Sequence, residues 1–133
     1  PFGSTHRKSH GNGFVLCGDA ASLVDPFSGE GIGNAMLSGS IASKVINEAL
    51  QKGDFSEAFL KQYDDRLWAA IGGELKTSYR LQKIGKVRFL LNLIIHRAKK
   101  SQKVRDEISA MLGNPEAKTG FTSPFFYLKL LFS

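Results

Sequence analysis

Residues 14–36 read Phe14-Val-Leu-Cys17-Gly18-Asp19-Ala-Ala-Ser22-Leu-Val-Asp25-Pro26-Phe-Ser-Gly29-Glu30-Gly31-Ile32-Gly33-Asn34-Ala-Met36. The apolar run from Gly13 to Cys17 predicts a buried strand that stops abruptly at Gly18-Asp19. A turn-rich loop from Ser22 to Gly29 follows, carrying Pro26, and from Gly31 the apolar spacing becomes that of a helix. A helix start has N–H groups without internal partners and a positive partial charge, so it suits an anion or an electron-rich carbonyl. Asp19, delivered at the strand's tip, is a carboxylate suited to hydroxyls such as those of a ribose or ribityl chain. Gly29, Gly31 and Gly33 lack Cβ atoms and allow the backbone to approach a flat ligand. The glycines are not the dinucleotide fingerprint G-x-G-x-x-G, because Asn34 stands where its third glycine belongs. No basic residue follows them, which excludes a Walker-type phosphate loop. On the residues alone, two readings stay open: a ligand cradle, or a tight strand-to-helix turn with no ligand.

Downstream, Ile32, Ala35, Met36, Gly39, Ala42, Val45, Ile46, Ala49 and Leu50 form one helical face that Gly53 ends. Its first half is small (Ala35, Ser38, Gly39, Ala42), so that helix can lie close to something flat. Asp54-Phe-Ser-Glu57 predicts a capping box, with Asp54 as cap and Glu57 reaching back. A second helix carries Phe59, Tyr63, Leu67, Ala70 and Ile71 on one face, and Gly72-Gly73 predicts a break or kink. Helical character resumes at Glu74 and continues to Ala98. Ser101 is placed to cap a shorter helix with Val104, Ile108, Met111 and Leu112 inward, and Gly113-Asn-Pro115 predicts its stop. Ser123-Pro124 predicts a last, strongly apolar helix through Phe132, to be packed against the rest of the protein, a second copy or a membrane surface. The expected fold class is mainly α, with one or two short strands. Gly53 divides the chain into residues 1–53, with the strand, the Gly-Asp loop and a helix, and a helical region over 54–133. A single convincing strand must pair with segments outside the chain or with a partner copy. With the absent initiator Met, this predicts a piece of a longer protein.

The chain has 133 residues, 42% of them hydrophobic, with 10 Phe and 23% charged, a balance that excludes wholesale disorder. The single Cys excludes a disulfide framework or a Cys-rich zinc site and fits a reducing, cytoplasmic compartment. Cys17 itself reads as a buried, inert thiol rather than a redox centre. No apolar run approaches the roughly 20 residues of a spanning helix, and the first residues have no signal-peptide core. Net charge is +6, and residues 66–105 concentrate it, with eleven Lys and Arg against Glu74 alone. That stretch is either a solvated helix face or a surface for phosphate, such as a lipid headgroup or a diphosphate. Nucleic acid is not an expected partner, because no recognition motif or regular interleaving of aromatics accompanies the charge. His6 and His10 have a spacing that clamps a metal only on a helix. Their Gly-rich, polar surroundings do not support a helix, so no metal is expected. His96 reads as a helix-surface residue, and Tyr63 and Trp68 as core.

Taken whole, Gly18-Asp19-Ala-Ala, Pro26, Gly29-Glu30-Gly31-Ile32 and the small-residue helix resemble the second flavin-binding motif of FAD-dependent reductases and monooxygenases built on the para-hydroxybenzoate hydroxylase plan. The form Pro-x-x-Gly-Glu-Gly-Ile looks most like the geranylgeranyl reductase branch. The motif covers residues 14–40, and Tyr63, Arg66-Leu-Trp68 and the basic helices are compatible with that family's C-terminal region. The resemblance implies an α/β, Rossmann-like FAD-binding fold of which this chain is the C-terminal segment. It further implies that Asp19 hydrogen-bonds the ribityl chain, with Gly18 giving it room and Pro26 near the reactive edge of the isoalloxazine. The backbone at Gly31, Ile32 and Gly33 would face the pyrimidine end, where the helix dipole favours negative charge on reduced flavin. Glu30 would shape the substrate side, and no side chain here has to be a nucleophile. FAD is the implied cofactor, with NAD(P)H or another reductant as electron donor. The implied reaction is reduction of carbon–carbon double bonds in a lipophilic isoprenoid substrate, with a peripheral membrane contact. A monooxygenase of the same plan would use the same Asp and glycines, and a stand-alone basic module docking on membranes or proteins is a third reading. The family's N-terminal G-x-G-x-x-G and large substrate-binding sheet are not in this chain. On this reading they belong to a missing N-terminal part, without which the chain should not turn over.

Overall fold

The computed structural model describes Gly3 and residues 5–113. In chain order the elements are β1 (His10–Gly11), β2 (Phe14–Val15), a short 3-10 helix at Gly18–Ala21, α1 (Ile32–Lys52), α2 (Glu57–Gly85), α3 (Arg88–Lys100) and α4 (Gln102–Gly113). The fold is therefore mainly helical with two short strands, as the sequence predicts. The chain divides into two compact units, Pro1–Lys76 and Thr77–Ser133, with the boundary inside α2.

In the first unit, β2 finds its partner within the chain. It pairs antiparallel with β1 in the register His10 with Val15 and Gly11 with Phe14, and Leu16 N–H extends the ladder to Ser9 C=O at 2.7 Å. The Phe14 ring covers Gly11, where a side chain would not fit. This corrects the expectation of a lone strand. It also corrects its burial, for Phe14 and Leu16 are exposed. The hairpin is held to the start of α2 by three contacts: Gly13 N–H to Phe55 C=O at 2.9 Å, Glu57 N–H to Asn12 Oδ1 at 2.7 Å, and a Lys8–Glu57 ion pair.

α1 ends as expected at Gly53, whose φ of 66° is the left-handed conformation glycine adopts most cheaply. Its buried residues are Ser38, Ala42, Val45 and Ala49, whereas Ile32, Met36, Ile46 and Leu50 are exposed. α2 buries Leu60, Tyr63, Leu67, Ile71 and Leu75, which join Ala21, Leu23 and the α1 residues in one core. α1 contributes small residues to this core (Ala42, Val45, Ala49) and α2 large ones (Leu60, Tyr63, Leu67).

Two helix boundaries differ from the sequence reading. The cap of α2 is Ser56, whose Oγ accepts Phe59 N–H at 3.2 Å; Asp54 Oδ1 instead accepts Ser56 N–H at 2.9 Å. Glu57 takes Lys8 rather than reaching back. Gly72-Gly73 does not break α2. Gly72 lies beneath Trp68, where a Cβ would be 3.3 Å from Cε3, and the buried face on either side keeps the helix going at a glycine cost of about 1 kcal/mol each. The break comes at Gly85 instead, where Lys86 and Val87 N–H close three-residue turns on Lys83 and Ile84 C=O.

In the second unit, α3 and α4 pack on each other. They meet at Ser101, the boundary the sequence marks, where Arg105 reaches back to Ala98 C=O at 2.6 Å. Lys83 Nζ lies 4.5 Å from the Tyr79 ring centre. The expected stop through Asn114-Pro115 and the helix opening at Ser123-Pro124 lie outside the described residues. No helix among the described residues is long and apolar enough to cross a membrane.

Candidate functional site

The turn between β2 and α1 is built by backbone and small residues. Gly18 has φ 55° and its N–H donates to Ser38 Oγ at 3.0 Å, while Ser38 Oγ donates to Ala35 C=O at 2.9 Å. An added Cβ on Gly18 would lie 3.0 Å from Ala35 Cβ. The small-residue start of α1 thus admits the turn at its flank, which is what Ala35 and Ser38 are small for.

Asp19 follows on the 3-10 helix and is exposed. Its Oδ1 is the nearest atom to the space a Cβ on Gly31 would occupy, at 3.0 Å. The carboxylate therefore stands beside the residue that caps α1. Gly31 provides no side-chain cap, and the first turn of α1 contains no acidic residue; the N–H groups of Ile32, Gly33 and Asn34 lie in the first turn, where helix geometry supplies no intrahelical partner. Ala35 N–H makes the first intrahelical bond, to Gly31 C=O at 2.8 Å.

Between these two parts the chain turns on Asp25. Its Oδ1 accepts Phe27 N–H at 2.9 Å and Ser28 N–H at 2.7 Å, and its own N–H donates to Glu30 C=O at 2.7 Å. Pro26 sits inside this turn and is buried, with its fixed φ stiffening the loop. Gly29 has φ 76° and nothing near its missing side chain. Glu30 is exposed, and its Oε1 is 3.8 Å from the position of a Cβ on Gly33. Asn34 Nδ2 donates to Leu23 C=O at 2.7 Å, tying the loop back to the first turn of α1.

Of the residues singled out by sequence, Gly18, Asp19 and Gly31 converge at the junction, and Ile32 and Gly33 continue along the helix start. Pro26 and Gly29 lie on the connecting turn, one buried and one open. Ile32 is 76% exposed, so an apolar side chain flanks the polar junction. This donor set fits a flavin: a carboxylate for ribityl hydroxyls, free backbone donors for ring carbonyls, and glycines whose missing Cβ atoms leave the backbone open.

A second polar centre escaped the sequence reading. The buried Asp64 carboxylate accepts Ser9 N–H at 3.0 Å. Buried His10 places Nδ1 2.9 Å from Asp64 Oδ2 without meeting hydrogen-bond geometry, and exposed His6 lies 3.8 Å from the same oxygen. The His6 ring rests 4.4 Å from that of Trp68. The two histidines thus meet from an extended segment around a carboxylate on α2, whose only sequence mark is the periodicity of its neighbours. Tyr63, fully buried, donates to Leu16 C=O at 2.7 Å, fixing the end of β2 against α2. Burial, and then its contact with Cys17, hold its hydroxyl well above the ordinary value of 10.0. On the surface, Arg66 makes two 2.8 Å bonds to Glu48. That hydrogen bonding lowers the Glu48 carboxyl and raises Arg66.

Comparison with known proteins yields archaeal relatives, each named as a reductase. The chain is 42% identical over 78 residues (59% of its length, 19% of the relative) to digeranylgeranylglycerophospholipid reductase 2 of Methanococcoides burtonii. It is 44% identical over 60 residues (45% and 16%) to digeranylgeranylglycerophospholipid reductase 1 of Methanopyrus kandleri. It is 39% identical over 93 residues (67% and 23%) to digeranylgeranylglycerophospholipid reductase of Methanosphaerula palustris. The resemblance to geranylgeranyl reductases read from residues 14–40 thus stands in the relatives' own names. The chain spans less than a quarter of the length of these relatives. No family model and no solved structure matches it.

Proposed function

We propose that this chain supplies one wall of the FAD site of a reductase that saturates carbon–carbon double bonds of an isoprenoid lipid. The observation that carries the reading is the Asp19 carboxylate beside Gly31 at an uncapped helix start. The identity to proteins named digeranylgeranylglycerophospholipid reductase supports a reductase over a monooxygenase.

When bound, FAD supplies the hydride chemistry, with NAD(P)H or another reductant as the source of electrons. The chain's own residues bind and orient. Asp19 accepts hydrogen bonds from ribityl hydroxyls, and Gly18 gives it room. The N–H groups of Ile32 and Gly33 would hold the pyrimidine end of the ring, where the positive end of the helix favours negative charge. Asp25 and Pro26 hold the loop bordering the reactive edge, and Glu30 with the exposed Ile32 borders the substrate side. Residues 1–53 belong to the flavin-binding domain, and the described helices that follow, through Gly113, to a C-terminal region. The rest of the parent protein holds the ADP half of FAD and the long apolar substrate pocket, and the parent works peripherally on a membrane leaflet.

The test uses the intact source protein, incubated with a reductant and a geranylgeranyl-bearing phospholipid. Mass spectrometry is expected to show two hydrogens gained per double bond, together with a flavin spectrum in the purified protein. A flavin-free protein that leaves the lipid unsaturated overturns the reading. A flavoprotein that adds oxygen to its substrate overturns the reductase part alone.

A further inference from the structure

From the exposure and charge of the second unit we infer that α3 docks on an anionic lipid bilayer, lying in the headgroup plane. This rests on the peripheral-membrane part of the proposed function and not on its flavin part. No residue of α3 is buried. Phe89 is 69% exposed, and Val87, Leu91 and Ile95 are exposed as well. Leu91 and Ile95, four apart, share one side of the helix; Arg88, Asn92 and Lys99 run along the middle of the exposed face; Phe89 and Lys100 lie on the other flank. Apolar and cationic side chains are thus interleaved on one exposed face. Such a helix is too polar to cross a membrane but suits its surface. There the aromatic and aliphatic groups enter the acyl boundary, and the long basic side chains reach back to phosphate.

Charge selects the occupant. Residues 75–105 contain ten Lys and Arg and no Asp or Glu. A second copy would press the same cations against these and is disfavoured by like-charge repulsion. A nucleic acid would match the cations yet leave Phe89, Leu91 and Ile95 in water. An anionic bilayer offers phosphate for the first set and hydrocarbon for the second.

The experiment is flotation of the full chain with phosphatidylcholine vesicles, with and without phosphatidylglycerol, at low and high salt. Binding is expected with phosphatidylglycerol, falling at least tenfold without it or at high salt. F89S/I95S should weaken partitioning roughly tenfold. K99Q/K100Q should weaken it about 30-fold. Both variants should keep the parent's melting temperature, since none of the four side chains is buried. Binding indifferent to phosphatidylglycerol overturns the inference. So does binding that F89S/I95S leaves unchanged, which would be adsorption by charge alone. A dimer that Phe89→Ser dissolves, with no vesicle binding, assigns the face to a second copy instead. Flavin content of the intact source protein, measured in parallel, fails or holds independently of all these outcomes.

Discussion

α1 and α2 on one side, and α3 on the other, use similar aliphatic residues to opposite ends. In the first pair Val45, Ala49, Leu60, Tyr63 and Leu67 are sealed into a common core. In α3, Leu91, Ile95 and Phe89 remain in contact with solvent. The difference lies in what accompanies them. Small residues on α1 permit close approach, and Asp and Glu on the outer faces of α1 and α2 balance Arg66 and Lys61 through local pairs. Residues 75–105, which include α3, carry ten Lys and Arg and no Asp or Glu. A core of the first kind holds a site rigid, whereas a surface of the second kind is available to something outside the chain.

The contrast breaks most visibly on truncation. Leu67→Ala, at a fully buried position, should cost about 2–5 kcal/mol, read as a lowered denaturant midpoint of the full chain. Phe89→Ser on α3 should change the same midpoint by about 0.5 kcal/mol or less. Equal costs would mean that α3 belongs to a core after all.

Tyr63 sharpens the comparison through pH. Its hydroxyl is raised above 10.0 chiefly by burial, so the native state keeps a proton that the unfolded chain releases. The stability this gives is complete below about pH 10 and is lost as pH rises toward the native value, by about 1.4 kcal/mol per unit. Tyr63→Phe should remove that slope and cost about 0.5–1.5 kcal/mol near neutrality, through the lost bond to Leu16 C=O. Denaturation at a series of alkaline pH values measures both, and an unchanged slope would contradict the burial argument. At the exposed cap of α2, Ser56→Ala should cost about 1 kcal/mol, and Asp54→Ala less, because Ser56 Oγ is the group that accepts Phe59 N–H.

The sequence made the strand–turn–helix of residues 14–52 legible because glycines, a proline and the change of apolar period all fall where the backbone changes course. Gly53 and Ser101 were equally plain. β1 was not, since His10-Gly11 has neither length nor β-branched residues and pairs only because the chain reverses at Asn12-Gly13. The continuity of α2 through Gly72-Gly73 was hidden for the opposite reason: a local breaker is outweighed by the buried face formed by Leu67, Ile71 and Leu75. The cap of α2 was misread because Asp54 and Ser56 both offer an oxygen, and only the position of the first helical turn chooses between them. At the candidate site, the residue types of the Gly18–Gly33 string were legible, but the approach of Asp19 to Gly31 depends on the Asp25 turn. The Asp64 centre joins residues more than 50 positions apart, a distance local patterns do not span.

The most direct test of the central claim is the ratio of flavin to protein in the purified intact source protein, measured by visible absorption for wild type and Asp19→Ala. Asp19 is exposed, so the variant should melt at the wild-type temperature when both are stripped of cofactor. Its flavin affinity should fall about tenfold to a hundredfold with the lost charge-assisted hydrogen bonds. A variant that folds normally and retains flavin at the wild-type ratio would contradict the assignment of Asp19, and with it the claim that this turn forms a wall of the flavin site.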